Sequence, residues 1–194
     1  YAFQYCKHIK KLKIPVNSQL QIIERFAFDN ANVKKIYIPS KVSKICDCAF
    51  SVLSINKIHF SRNSILKIIG VHAFAVTSIK EISIPSSTEV ISSSAFEFCS
   101  DLTKVIIPSN SNLKTIGERS FENTKIKEIF IPSTVSKICA FAFYMCQNLK
   151  NIDIAQNSNL QTIESAAFCS SSLKDFCITS KVSKIDKNVF YNCQ

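Results

Sequence analysis

The apolar positions of this chain fall into one register that repeats from end to end. Each pass opens with a segment of the form L-x-x-I-x-I-P, clearest in VKKIYIP (33–39), IKEISIP (79–85), LTKVIIP (102–108) and IKEIFIP (126–132), with looser copies at 9–15, 55–61, 149–155 and 173–179. Apolar residues alternate over its last positions, the period-two signature of a strand with one buried face. All five prolines, Pro15, Pro39, Pro85, Pro108 and Pro132, stand directly after that segment, where a residue without an N–H ends a ladder. Ser-Ser, Ser-Lys or Asn-Ser follows, then a second apolar pair such as Val42/Ile45, Leu113/Ile116 or Val182/Ile185. An anchor closes the pass: Phe3, Phe28, Phe50, Phe74, Phe96, Phe121, Phe143, Phe168 and Phe190, at intervals of 22–25 residues. Seven anchors are preceded by Ala, the other two by Ser120 and Val189.

A coil with three apolar sides cannot close a core alone; stacking its neighbours does so. The predicted fold is therefore an α/β solenoid of leucine-rich-repeat type, residues 1–194 forming one right-handed stack of about eight coils of 22–25 residues. Eight parallel strands are predicted at 10–14, 34–38, 56–60, 80–84, 103–107, 127–131, 150–154 and 174–178, lining a concave face, with irregular or short helical turns on the convex side. A longer period of 46–47 residues links Phe3, Phe50, Phe96, Phe143 and Phe190, four of which carry Cys three places on, so a pair of coils reads as the duplicated unit. Both ends fall at an anchor without a polar capping repeat, the expectation for a segment of a longer protein.

The pattern L-x-x-I-x-I-P-S-x-V-x-x-I-x-x-x-A-F-x-x-C, as in VKKIYIPSKVSKICDCAF (33–50) and IKEIFIPSTVSKICAFAFYMC (126–146), resembles the BspA-type leucine-rich repeat over essentially the whole chain. Ser61, Ala155 and Thr179 depart from it at the proline position. The richness in Lys, Asn and Ser is closer to the copies found in protozoan parasites. The resemblance implies a scaffold rather than an enzyme, set at the cell surface or secreted and used in adhesion to a protein or extracellular-matrix ligand. It carries over no catalytic residue.

If the buried pair of each strand points inward, two columns beside it face out. One reads Lys11, Lys35, Lys57, Glu81, Lys104, Glu128, Asn151, Asp175; the other reads Lys13, Tyr37, His59, Ser83, Ile106, Phe130, Asp153, Cys177. Both change from coil to coil, as a binding face does and as an unconstrained surface also does. The face is graded from basic to acidic and exposes Ile106 and Phe130 on neighbouring coils, with Tyr37 and His59 further up. The candidate contact residues are thus Lys35, Tyr37, His59, Lys104, Ile106, Glu128, Phe130 and Asp153. Lys10, Lys34, Lys80, Lys127, Lys150 and Lys174 form a third column, read either as protection of the sheet or as a site for a sulfated glycan or acidic lipid.

Net charge is +10, with +7 in residues 1–97 (13 basic, 6 acidic) and +3 in residues 98–194 (11 basic, 8 acidic). No nucleic-acid motif accompanies it, and the lysines follow the repeat instead of gathering in one groove, so nucleic acid is set aside as a partner. Two glycines leave no phosphate-cradling loop, and no apolar run is long enough to cross a bilayer. Equivalent cysteines lie two coils apart (Cys99, Cys146, Cys193) or four (Cys46, Cys139), beyond disulfide reach. They are expected as free thiols in small apolar niches, with Cys146 and Cys169 the one pair close enough to be bridged. Free thiols fit a reducing compartment as well as an anaerobe's surface. Cys46-Asp47-Cys48 lacks a second ligand pair at zinc spacing, and nothing calls for a cofactor. An architectural spacer carrying another domain is the alternative to a binding module.

Overall fold

The computed structural model describes residues 1–9 and 12–194. Lys10 and Lys11, and with them part of the predicted first strand, lie outside the described residues. Fourteen strands follow one another: β1 (Ile22–Ile23), β2 (Lys35–Ile38), β3 (Lys44–Ile45), β4 (Lys57–Phe60), β5 (Ile68–Ile69), β6 (Glu81–Ser83), β7 (Val90–Ile91), β8 (Lys104–Ile106), β9 (Thr115–Ile116), β10 (Glu128–Ile131), β11 (Lys137–Ile138), β12 (Asn151–Ile154), β13 (Thr162–Ile163) and β14 (Lys184–Ile185). All observed pairings are parallel, as a stack of equivalent coils requires.

The continuous sheet is not where the sequence places it. It has eight strands in the order β1-β3-β5-β7-β9-β11-β13-β14, built from the two-residue ends of the V-x-x-I side. The predicted strand segments do pair, but only two by two, as β2-β4, β6-β8 and β10-β12. The connection from this strand face to the next sheet strand explains the phase. It takes nine residues in one kind of coil (Lys35 to Lys44, Glu81 to Val90, Glu128 to Lys137) and 11 in the other (Lys57 to Ile68, Lys104 to Thr115, Asn151 to Thr162). Each ladder joins a short coil to the long coil after it, and among the described residues a seam without ladder pairing follows each long coil. Segment 174–178 forms no strand for the same reason: it sits across a seam from β12 and has no long coil after it within the chain.

The long connections share one lock. Ser18, Ser64, Ser111 and Ser158 each accept, through Oγ, the N–H of the Leu two places on, at 3.1–3.3 Å. Such side-chain-to-backbone bonds favour turns over regular structure, and they hold Leu66, Leu113 and Leu160 in the core.

The third side is the Phe edge. The nine anchor rings form one parallel pile, with centroids 5.0–5.7 Å apart and planes within 12°. Offset stacking of this kind adds about 0.5–1.5 kcal/mol per pair to the burial itself. Each anchor N–H donates to the carbonyl before the next anchor, from Phe3 to Ala27 through Phe168 to Val189, at 2.7–3.0 Å.

No helix occurs among the described residues, which corrects the expectation of helical turns. Apart from Tyr1 at the chain start, the residues two before and two after each anchor have positive φ, 17 in all and none of them Gly. A left-handed residue costs a non-glycine side chain about 1–2 kcal/mol and stops a helix from propagating. Here it turns the N–H along the stack: from Tyr5 to Ser170, every such residue donates to a carbonyl of the next coil, as Val52 does to Ala75 and Phe98 to Glu122, both at 2.9 Å.

Candidate functional site

The candidate contact residues do lie on the strand face: Lys35 and Tyr37 on β2, His59 on β4, Lys104 and Ile106 on β8, Glu128 and Phe130 on β10, and Asp153 on β12. Alternation places their neighbours Ile36, Val105 and Ile129 in the core. Tyr37 and Phe130 are half-buried rather than fully exposed; Ile106 retains 37% exposure.

Register then divides the set. Tyr37 stands opposite His59 and Lys35 opposite Lys57, while Ser83 stands opposite Ile106 and Glu81 opposite Lys104. Phe130 faces Asp153 and Glu128 faces Asn151. Ile106 and Phe130 are therefore not cross-strand partners on one sheet, as the sequence implies, but the two lips of the β8–β10 seam. A groove of about 330 Å³ opens there, lined by Lys104, Ile106, Glu128, Phe130, Asn151 and Asp153 beside the buried strand residues. Two other seams open grooves too. One of about 410 Å³ lies between β4 and β6 and is lined by Lys57, His59, Lys80, Glu81 and Ser83. One of about 510 Å³ lies beside β2, lined by Leu12–Val16, Lys35, Tyr37 and His59. The eight residues thus belong to separate grooves, five of them to the β8–β10 groove.

Electrostatics sharpens the contrast between grooves. Lys35 and Lys57 are direct partners of like sign, a spacing of about 4.8 Å that solvent must relieve. In the middle of the face, Lys104 Nζ reaches Glu81 Oε1 at 3.9 Å with both side chains more than half exposed, an ion pair of little net worth.

A second surface lies on the side that the sequence pattern marks only as turns. Val52, Val76 and Phe98, all two places after an anchor, are 52%, 49% and 44% exposed and stack on successive coils. Beside them Arg119 Nη1 reaches Glu122 Oε2 at 2.7 Å and lies 4.5 Å over the Phe141 ring. The Glu122 hydrogen bond holds the Arg119 guanidinium above its ordinary pKa. His72 Nδ1 and Glu97 Oε2 are 3.4 Å apart next to this stripe. The signal was present as a fixed offset from each Phe.

All nine cysteines are free, including Cys146 and Cys169. The niches of Cys99 and Cys146 are polar, not apolar. Cys99 Sγ donates to the Phe74 carbonyl at 3.0 Å, the same oxygen that Thr77 Oγ1 reaches at 2.9 Å. Cys146 and Thr124 share the Phe121 carbonyl in the same way. Burial pushes both thiols up to about 11, far from the depressed pKa of a reactive cysteine. Cys139 is raised to about 11 by burial and by the nearby Glu164. Among the described residues no three His, Cys, Asp or Glu side chains are placed to share a metal ion, and no helix is long and apolar enough to cross a membrane.

The profile of the BspA type leucine rich repeat region matches residues 1–112 and 67–194, which together span the chain. A leucine-rich repeat protein from Bacteroides ovatus is similar in structure, with a TM-score of 0.83 and 30% identity over 99% of this chain and 49% of its own. The pneumococcal vaccine antigen PcpA gives 0.73 and 20% over 93% of this chain and 57% of its own. A leucine rich cell surface protein from Faecalibacterium prausnitzii gives 0.56 and 20% over 93% and 66%. The chain spans about half to two thirds of these bacterial proteins. No curated protein matches the sequence.

Proposed function

Because the chain belongs to the BspA-type leucine-rich repeat family, we propose that it is a recognition scaffold of the cell surface or secreted space, presenting its strand face to a protein or extracellular-matrix ligand. The observation that carries this reading is the β8–β10 groove, where Ile106 and Phe130 stand at the lips although the core behind them is already filled by Val105, Ile107, Ile129 and Ile131. Apolar side chains held at a groove and ringed by Lys104, Glu128 and Asp153 suit a contact patch whose centre is desolvated and whose charges set orientation. The neighbours support it by analogy of fold, since one is a vaccine antigen and another a cell surface protein.

Ile106→Ser with Phe130→Ser tests it. The folded double variant is expected to lose binding to immobilised matrix protein about ten-fold, since desolvating what remains exposed of the two side chains is worth about 1 kcal/mol each. Equal binding by wild type and variant overturns the assignment of the patch.

A second reading has an observation of its own. Lys35 and Lys57 are paired in register beside His59, with Lys80 on the next coil, a basic end suited to a sulfated glycan or another polyanion. Binding that disappears in about 0.5 M salt and with Lys35→Ala/Lys57→Ala, yet survives the Ile106/Phe130 changes, favours it.

A further inference from the structure

The patch at the β8–β10 seam is self-complementary, and we infer that it pairs with the same patch of a second copy of this chain, the two stacks lying face to face and antiparallel. The inference rests on the reading that this patch is the working surface, and it names the partner. A two-fold axis laid along the seam, parallel to the strands, reverses the order of coils and keeps the columns in line. Ile106 and Phe130 of one copy then meet Phe130 and Ile106 of the other, four apolar side chains closing over the groove. In the adjoining column Lys104 meets Glu128 of the second copy, and the symmetry makes that contact twice.

The complementarity extends outward. Ser83, the ladder partner of Ile106, is carried to Asp153, the ladder partner of Phe130, so that a hydroxyl meets a carboxylate. On the third coil from the axis, Lys57 meets Asp175. An isologous interface joins one patch to itself, and here an apolar centre is rimmed by the Lys104–Glu128 and Lys57–Asp175 pairs, while Glu81 falls opposite the neutral Asn151. One like-charge contact arises, Lys80 with Lys150, in the outer lysine column where solvent screens it. The β4–β6 seam shares a central Lys–Glu pair, Lys57 with Glu81, but not the apolar centre: His59 and Ser83 would occupy it, and Lys35 would meet Lys104 of the second copy.

Sedimentation of the chain at low ionic strength is expected to show a reversible dimer in the micromolar range, weakened in about 0.5 M salt. Lys104→Glu alone and Glu128→Lys alone each place like charges together and should weaken the dimer about ten-fold or more. The Lys104→Glu/Glu128→Lys double variant restores opposite signs and should dimerise again, and the two single variants mixed in equal amounts should form a heterodimer. Both positions are exposed, so melting temperatures are expected to stay together, and restoration by the double variant separates charge pairing from misfolding. A chain that stays monomeric, single variants that dimerise as wild type does, or a double variant that fails to recover overturns the inference. Binding to immobilised collagen and laminin, read on the same proteins, keeps the two readings apart. A monomer that binds them through Ile106 and Phe130 overturns the self-pairing alone; a dimer with the stated charge-swap behaviour and no such binding overturns the matrix reading alone.

Discussion

Along the Phe edge every step of the stack is alike: one ring on the next, one anchor N–H to the next coil's carbonyl, and left-handed residues on both flanks. Along the strand face, steps alternate between a ladder and a seam, and the outward residues change from Lys35 to Glu81 to Asn151. The coils are the same coils. Where two sides, the Phe edge and the eight-stranded sheet, already fix the spacing, the third side can absorb a two-residue difference in length and leave grooves. Constancy on one side therefore permits diversity on the other, and the stability of the molecule should be distributed accordingly.

The sharpest test of that distribution is Phe121→Ala, which interrupts the ring pile at its buried middle. A loss of about 3–5 kcal/mol is expected in chemical denaturation, with both halves of the pile affected because Phe121 stacks on Phe96 and on Phe143. Gly117→Ala attacks the sheet side. Its Cβ would lie 2.5 Å from the Ser92 carbonyl carbon and 2.6 Å from the Ile91 oxygen, too close for any side chain. A cost of about 1–3 kcal/mol should appear as a lower melting temperature.

Alkaline pH probes the Phe edge without mutation. Cys99 and Cys146 titrate near 11 when folded against an ordinary value of 9.0. Their folded pKa is raised, so their contribution is full below pH 9 and lost as pH climbs toward 11, where the unfolded chain alone releases the protons. The melting temperature should fall over that window, and less steeply once both thiols are replaced by Ala. Smaller again is Ser111→Ala, which removes the lock on Leu113 in one long connection and should cost about 1 kcal/mol. Smallest is Phe130→Ser on the strand face, about 0.5 kcal/mol or less if that side chain serves contact more than stability. A large loss there would erase the contrast between the sides.

The sequence made some of this legible and hid the rest. Six of the predicted strand segments form strands, because I-x-I alternation on a half-buried face is a strong signal. The anchors were legible because nothing else in the chain recurs with so fixed a flank. The eight-stranded sheet was not, since a two-residue strand is too short to show any period. The left-handed columns were hidden for a different reason. Only four of their 17 residues are Asn and none is Gly, so the usual marker of positive φ is missing. For the candidate site, the columns and the apolar pair were readable from alternation. Their division among grooves was not, because the alternating connections of nine and 11 residues were visible only as uneven anchor spacing.

That alternation also constrains how such a chain can lengthen or shorten. Loss of a single coil would bring two long or two short connections together and leave a strand without its ladder partner. Loss of two keeps every ladder in phase. Exchange between repeats is then tolerated by parity, in even numbers of coils, and the 46–47-residue spacing of Phe3, Phe50, Phe96, Phe143 and Phe190 is the length of one such inheritable step.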